Sequence, residues 1–101
     1  PTAVFAWDDV TAIGAIRAIW DAGLKVPEDI AVVGQGNLEL PVGISLTSVD
    51  NKSVDTGRLA VQILIKMIDK EYSGPHKIIT SPELIIREST VGKVDSYQER
   101  R

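Results

Sequence analysis

The apolar residues fall into short continuous runs separated by amphipathic stretches. Thr2 to Trp7 is one such run, containing Val4 and Phe5, and has the pattern of a buried strand. Beyond it, Val10, Ile13, Ile16 or Arg17, and Trp20 recur at helical spacing. Asp8 and Asp9 stand at the head of that helix, where a carboxylate caps free N–H groups and faces the positive end of the helix dipole. Gly23 supplies a left-handed position just past the helix, Leu24 an apolar residue that folds back, and Pro27 a stop. Asp29 to Gly34 is a second continuous apolar run, a strand buried on both faces as in parallel sheets.

Gln35 to Gly43 is a loop punctuated by Gly and Pro. Leu46 to Val49 forms a short third strand. Asp50, Asn51 and Ser53 offer caps for a second helix, whose apolar positions are Val54, Val61, Leu64, Ile65 and Ile68. Gly57 lies inside that helix at a cost of about 1 kcal/mol against Ala, which implies close packing there. Ser73, Gly74 and Pro75 end it. Lys77 to Thr80 and Glu83 to Arg87 read as strands separated by Ser81-Pro82, and Val91 to Arg101 as a frayed polar tail. The order strand, helix, strand, loop, strand, helix, strand, strand predicts an α/β fold with a parallel sheet flanked by helices. The first residues already read as a strand, so the chain looks like a piece of something longer.

Composition narrows the function. The 101 residues carry a net charge of -3, without the basic face that binds nucleic acid, so any DNA contact must come from elsewhere. That length allows one modest core. Cysteine is absent, which excludes disulfides and thiolate chemistry and is compatible with the cytoplasm. No apolar run approaches the roughly 20 residues needed to span a bilayer, and no signal peptide is visible. His76 is the only histidine and lies in a turn, so neither a metal cluster nor a Ser-His-Asp arrangement is expected. Gly34-Gln35-Gly36 lacks the third glycine and the following helix of a dinucleotide site. No catalytic residue, metal or cofactor is expected.

Five blocks carry a resemblance. Pro1 to Ala6, Ala12 to Ala15, Asp21 to Gly34, Leu46 to Val49 and Pro82 to Thr90 resemble the C-terminal half of LacI/GalR transcriptional regulators, in the same order and spacing. The resemblance implies a type I periplasmic-binding-protein-like fold, of which this chain holds only part. Residues 1–49 would belong to the C-terminal subdomain, 50–80 to the N-terminal subdomain, and 81–90 to the return, with 91–101 a tail. It further implies a cytoplasmic, dimeric repressor, not an enzyme, with no membrane contact. A small-molecule effector, often a sugar or a nucleobase, binds between the subdomains, and an N-terminal helix-turn-helix headpiece, absent from this chain, reads operator DNA.

The candidate ligand residues sit at C-terminal ends of predicted parallel strands, where open α/β sheets bind ligands. They are Trp7, Asp8, Gln35, Gly36, Asn37 and Asn51. Asp8 stands where the family often has a ligand-touching Asn, and a carboxylate accepts hydrogen bonds from adjacent hydroxyls. Asp9 reads instead as the cap. Trp7 either packs in the core or covers a sugar ring. Gly36 replaces the effector-binding Asp common in the family, leaving Gln35 or Asn37 to supply neutral amides, unless Gly36 and Asn37 simply form a turn. Asn51 stands where the family often has Gln and has the same donors and acceptors, or else caps the second helix. Ile16, Ile19 and Trp20 are candidates for a twofold subunit contact or for core packing. A periplasmic sugar-binding transport protein of the same fold is the second reading, and an α/β enzyme fragment the third.

Overall fold

A computed structural model of the chain describes residues 1–74 and 77–93. The turn at His76 and the tail beyond residue 93 lie outside them. The elements, in order, are β1 (Ala3–Phe5), α1 (Asp9–Asp21), β2 (Ala31–Gln35), β3 (Thr47–Asp50), α2 (Ser53–Ile68), β4 (Glu83–Ile85) and α3 (Glu88–Val91). The sheet order is β1-β2-β3-β4. The first three strands are parallel and β4 runs antiparallel to β3, pairing Val49 with Leu84. The α/β reading with a parallel sheet holds. Three details differ: β1, expected to be buried, is an edge strand exposed at Ala3, Val4 and Phe5; Lys77 to Thr80 forms no strand; and the expected last strand stops at Ile85 before the short helix α3.

The core lies between α1 and the sheet. Ala12, Ile16 and Ile19 of α1 pack with Ala6, Val26, Val32, Val42 and Leu46. Ile16 is 0% exposed and Ile19 is also buried, so the subunit contact expected of them is corrected: both belong to the core. The buried face of α1 also includes Asp9, whereas Val10 and Trp20 turn outward. Gly23 adopts φ +77°, and Leu24 N–H returns to the Ile19 carbonyl at 3.1 Å, closing the helix as the sequence predicts.

Helix α2 is different in kind. It has the apolar stripe of a packing helix, yet none of its residues is buried. Gly57 meets nothing within 4 Å, so no close packing explains it. Val54 is 77% exposed, and Ile79, on the segment beyond the helix, 82%. The molecule measures 59 × 31 × 23 Å with a radius of gyration of 18.2 Å. A compact 100-residue domain has a radius of about 13 Å, so α2 is an arm held away from the body. Among the described residues, no helix is long and apolar enough to cross a membrane.

Candidate functional site

Because β1, β2 and β3 are adjacent and parallel, their C-terminal ends share one edge of the sheet. Trp7 and Asp8 follow β1, Gln35 ends β2 with Gly36 and Asn37 behind it, and Asn51 follows β3. The edge is therefore built from residues far apart in the chain.

The helix cap falls to Asp8 and not, as expected, to Asp9. Asp8 is the N-cap of α1, its Oδ1 accepting from the Thr11 N–H at 2.7 Å. That bond, aided by the Thr11 hydroxyl, holds the Asp8 carboxyl below its ordinary value, with slight desolvation opposing. Asp9, expected as the cap, is 1% exposed. Its Oδ1 accepts from the Ser48 hydroxyl and its Oδ2 from the Leu38 N–H, both at 2.7 Å. One carboxylate thus ties α1 to β3 and to the loop after β2. Gly34 makes this approach possible, because a methyl group there would overlap the Asp9 carboxylate and press on Leu46.

Trp7 is 85% exposed, which removes the core-packing alternative. Gln35 and Asn51 are half-buried. Gly36 has φ +121° and donates its N–H to the Val49 carbonyl at 2.8 Å. Asn37 is left-handed, as the turn reading allowed, and its side chain is occupied at both ends. Its Oδ1 accepts from Arg87 Nη2 at 2.7 Å and its Nδ2 donates to Asp50 Oδ2 at 3.3 Å. The caps expected for α2 are also corrected. The N-cap is Lys52, in a left-handed conformation without a side-chain cap bond, and Asp50 Oδ1 instead accepts from the Lys52 N–H at 2.8 Å. Cavities of about 470 and 430 Å³ lie along α2. The first is lined by Asn51, Ser53, Thr56, Gly57, Thr80 and Pro82; neither includes Asp8 or Gly36 in its lining. Trp20 is partly exposed beside Gly43.

Sequence reasoning missed the residues that hold the C-terminal block onto the sheet. Arg87 donates to the Leu46 carbonyl at 2.8 Å and lies 3.7 Å from Glu39. The fully buried Ser89 donates to the Val32 carbonyl at 2.6 Å and accepts from the Thr47 N–H at 2.8 Å. Thr47 Oγ1 accepts from the Arg87 N–H and meets Thr90 Oγ1, both at 2.7 Å. The available signal was the pair Thr47-Ser48 inside an apolar strand: buried hydroxyls require partners, and Arg87 to Thr90 supplies several. Among the described residues, no group of three or more His, Cys, Asp or Glu is placed to hold a metal.

A parallel three-stranded edge with a helix capped directly above it suits a ligand but does not by itself say which fold family built it. The family model of the periplasmic binding protein-like domain matches residues 1–90. The chain belongs to that family, in the form found in LacI/GalR regulators. It is similar to the HTH-type transcriptional repressor PurR of Histophilus somni, 45% identical over 92 residues, which cover 88% of this chain and 27% of that protein. Among solved structures, it resembles the transcriptional regulator CelR–cellobiose complex with a TM-score of 0.79 and 32% identity, covering 87% of this chain and 28% of that one. It also resembles the lac repressor dimer bound to operator and the anti-inducer ONPF, with a TM-score of 0.78 and 28% identity, covering 89% and 32%. The chain thus spans about a quarter of the length of the curated relative. Such relatives are transcriptional repressors, a non-enzymatic family. For a LacI/GalR-type chain, the polar knot at Asp9, Ser48, Asn37 and Arg87 explains how the C-terminal block Pro82 to Thr90 is held onto the sheet.

Proposed function

We propose that this chain is the effector-sensing portion of a cytoplasmic, dimeric LacI/GalR-type repressor. A small molecule, a sugar or a related metabolite such as a nucleoside, docks on the edge formed by Trp7, Asp8, Gln35, Gly36 and Asn51. Residues 1–49 and 81–90 form the C-terminal subdomain, and 50–80, with α2, belong to the N-terminal subdomain across the cleft. Effector bridging the two changes their angle and so the affinity of a DNA-binding headpiece for its operator, a population shift driven by differential affinity.

The reading rests on the shared edge of β1, β2 and β3, where the exposed Trp7 is followed in the chain by Asp8, whose carboxylate is kept ionised by its own helix. A carboxylate accepts from two neighbouring hydroxyls and an indole covers the C–H face of a ring. Gly36 supplies no charged acceptor, so Asp8 carries that role. Trp20, half-exposed on α1, is the remaining candidate for the subunit contact. In the intact regulator, a thermal-shift screen of sugars and nucleosides is expected to give a stabilising ligand. Asp8→Ala then loses most of that shift, and an unchanged shift removes Asp8 from the site.

A further inference from the structure

Asn37 stands among the ligand candidates by position, yet its surroundings assign it another task. Two parts of the body stand on either side of it: the end of β3 at Asp50, where the chain leaves for α2, and Arg87, in the block that follows β4. Asn37 lies between them. Its carbonyl oxygen accepts from the Arg87 guanidinium at 2.7 Å, and its amide NH2 donates to the Asp50 carboxylate at 3.3 Å. An amide suits that place because it presents an acceptor to the cation and a donor to the anion. The backbone is fixed independently: Asn37 N–H donates to Ser48 Oγ at 2.9 Å, and the Ser48 hydroxyl in turn donates to Asp9. Asp50 Oδ1 holds the Lys52 N–H at the entrance to α2, so the chain of bonds runs from the loop after β2 to the root of the arm.

We infer that Asn37 is a positioning residue that makes no effector contact and clamps the outgoing segment at Asp50 to Arg87 of the body, thereby setting where α2 stands relative to the body. The inference deepens the effector-sensing reading and rests on it for its regulatory meaning. The clamp itself requires no effector.

The chemistry makes a swap test available. Asn37→Asp keeps the acceptor for Arg87 but sets a second carboxylate against Asp50, with no donor between them. Adding Asp50→Asn restores a donor on the other side: the new amide donates to the Asp at position 37 and still accepts from the Lys52 N–H. Spin labels on cysteines replacing the exposed Arg17 of α1 and Gln62 of α2 report the distance between body and arm in the intact regulator, measured by pulsed electron resonance without effector. The expected result is a shifted or broadened distance distribution in Asn37→Asp and a return to the wild-type distribution in the double variant. A distribution unmoved by Asn37→Asp, or left unrestored by the swap, overturns the inference. In a parallel arm, the effector-dependent change in operator affinity is expected to fall about tenfold in Asn37→Asp and to recover in the double variant. A wild type whose operator affinity ignores every ligand of the screen counts against the effector-sensing reading alone, while the distances still decide the clamp.

Discussion

The body of this molecule and its arm have similar apolar content but opposite fates. Helix α1 buries Ala12, Ile16 and Ile19 against β2 and ends in bonds that satisfy its carbonyls. Helix α2 is longer and carries Val61, Leu64, Ile65 and Ile68 on its surface, all exposed. The body is further held by buried polar groups, each with a partner among the described residues, whereas α2 begins at a cap without a side-chain bond. Helical periodicity therefore shows that a face wants burial, not what will bury it. For α2 the covering surface belongs, in the proposed reading, to the rest of a two-subdomain regulator.

The comparison is most sharply tested inside the body. Asp9→Ala removes one charged acceptor from two donors and leaves the Ser48 hydroxyl and the Leu38 N–H without it. A loss of about 3–4 kcal/mol is expected in urea unfolding. Gly34→Ala forces a methyl group into the Asp9 carboxylate, and a loss of about 3 kcal/mol is expected by the same measurement. A change in either variant as small as that of an exposed substitution would contradict the picture of a tightly knit edge.

Asp8 gives a smaller, pH-dependent effect. Its carboxyl lies below the ordinary value of 3.8 because the folded helix donates to the ionised form. A depressed folded value means that the cap is complete above the ordinary value and is lost as pH falls through the lower, folded one. Asp8→Asn should therefore separate from wild type in thermal stability at neutral pH, with the gap closing in strong acid. A gap that widens on acidification reverses the assignment.

Least affected is the arm. Leu64→Ser is expected to change the stability of the 101-residue chain by less than about 0.5 kcal/mol, since Leu64 is exposed. The same substitution should reduce self-association of that chain, seen by light scattering, because the open apolar face drives it. A monomer before substitution, or a large stability loss after it, would mean that α2 is already packed.

Much of this fold was legible in the sequence. The runs at Thr2 to Trp7 and Asp29 to Gly34, the helix closing at Gly23 and Leu24, and the parallel order all follow from hydrophobic pattern and turn chemistry. The shared edge at Trp7, Asp8, Gln35 and Asn51 follows from that order alone. What pattern did not reveal were long-range polar partnerships. Asp9 looks like any helix-heading carboxylate until Ser48 and Leu38, more than 25 residues away, meet it. Asn37 looks like a free amide until Arg87 and Asp50 occupy it. Lys77 to Thr80 has strand-like residues but no neighbouring strand to pair with among the described residues, so propensity had nothing to act on.

The central claim is that the strand-end edge faces the effector, and Trp7 offers the most direct reading of it. Trp7 is almost fully exposed there, whereas Trp20 sits on α1 beside Gly43. Titrating the intact regulator with its stabilising ligand while following tryptophan fluorescence should give a change that disappears in Trp7→Phe and survives in Trp20→Phe. A signal that survives in Trp7→Phe and is lost in Trp20→Phe, with binding intact in both, would place the ligand elsewhere and contradict the account.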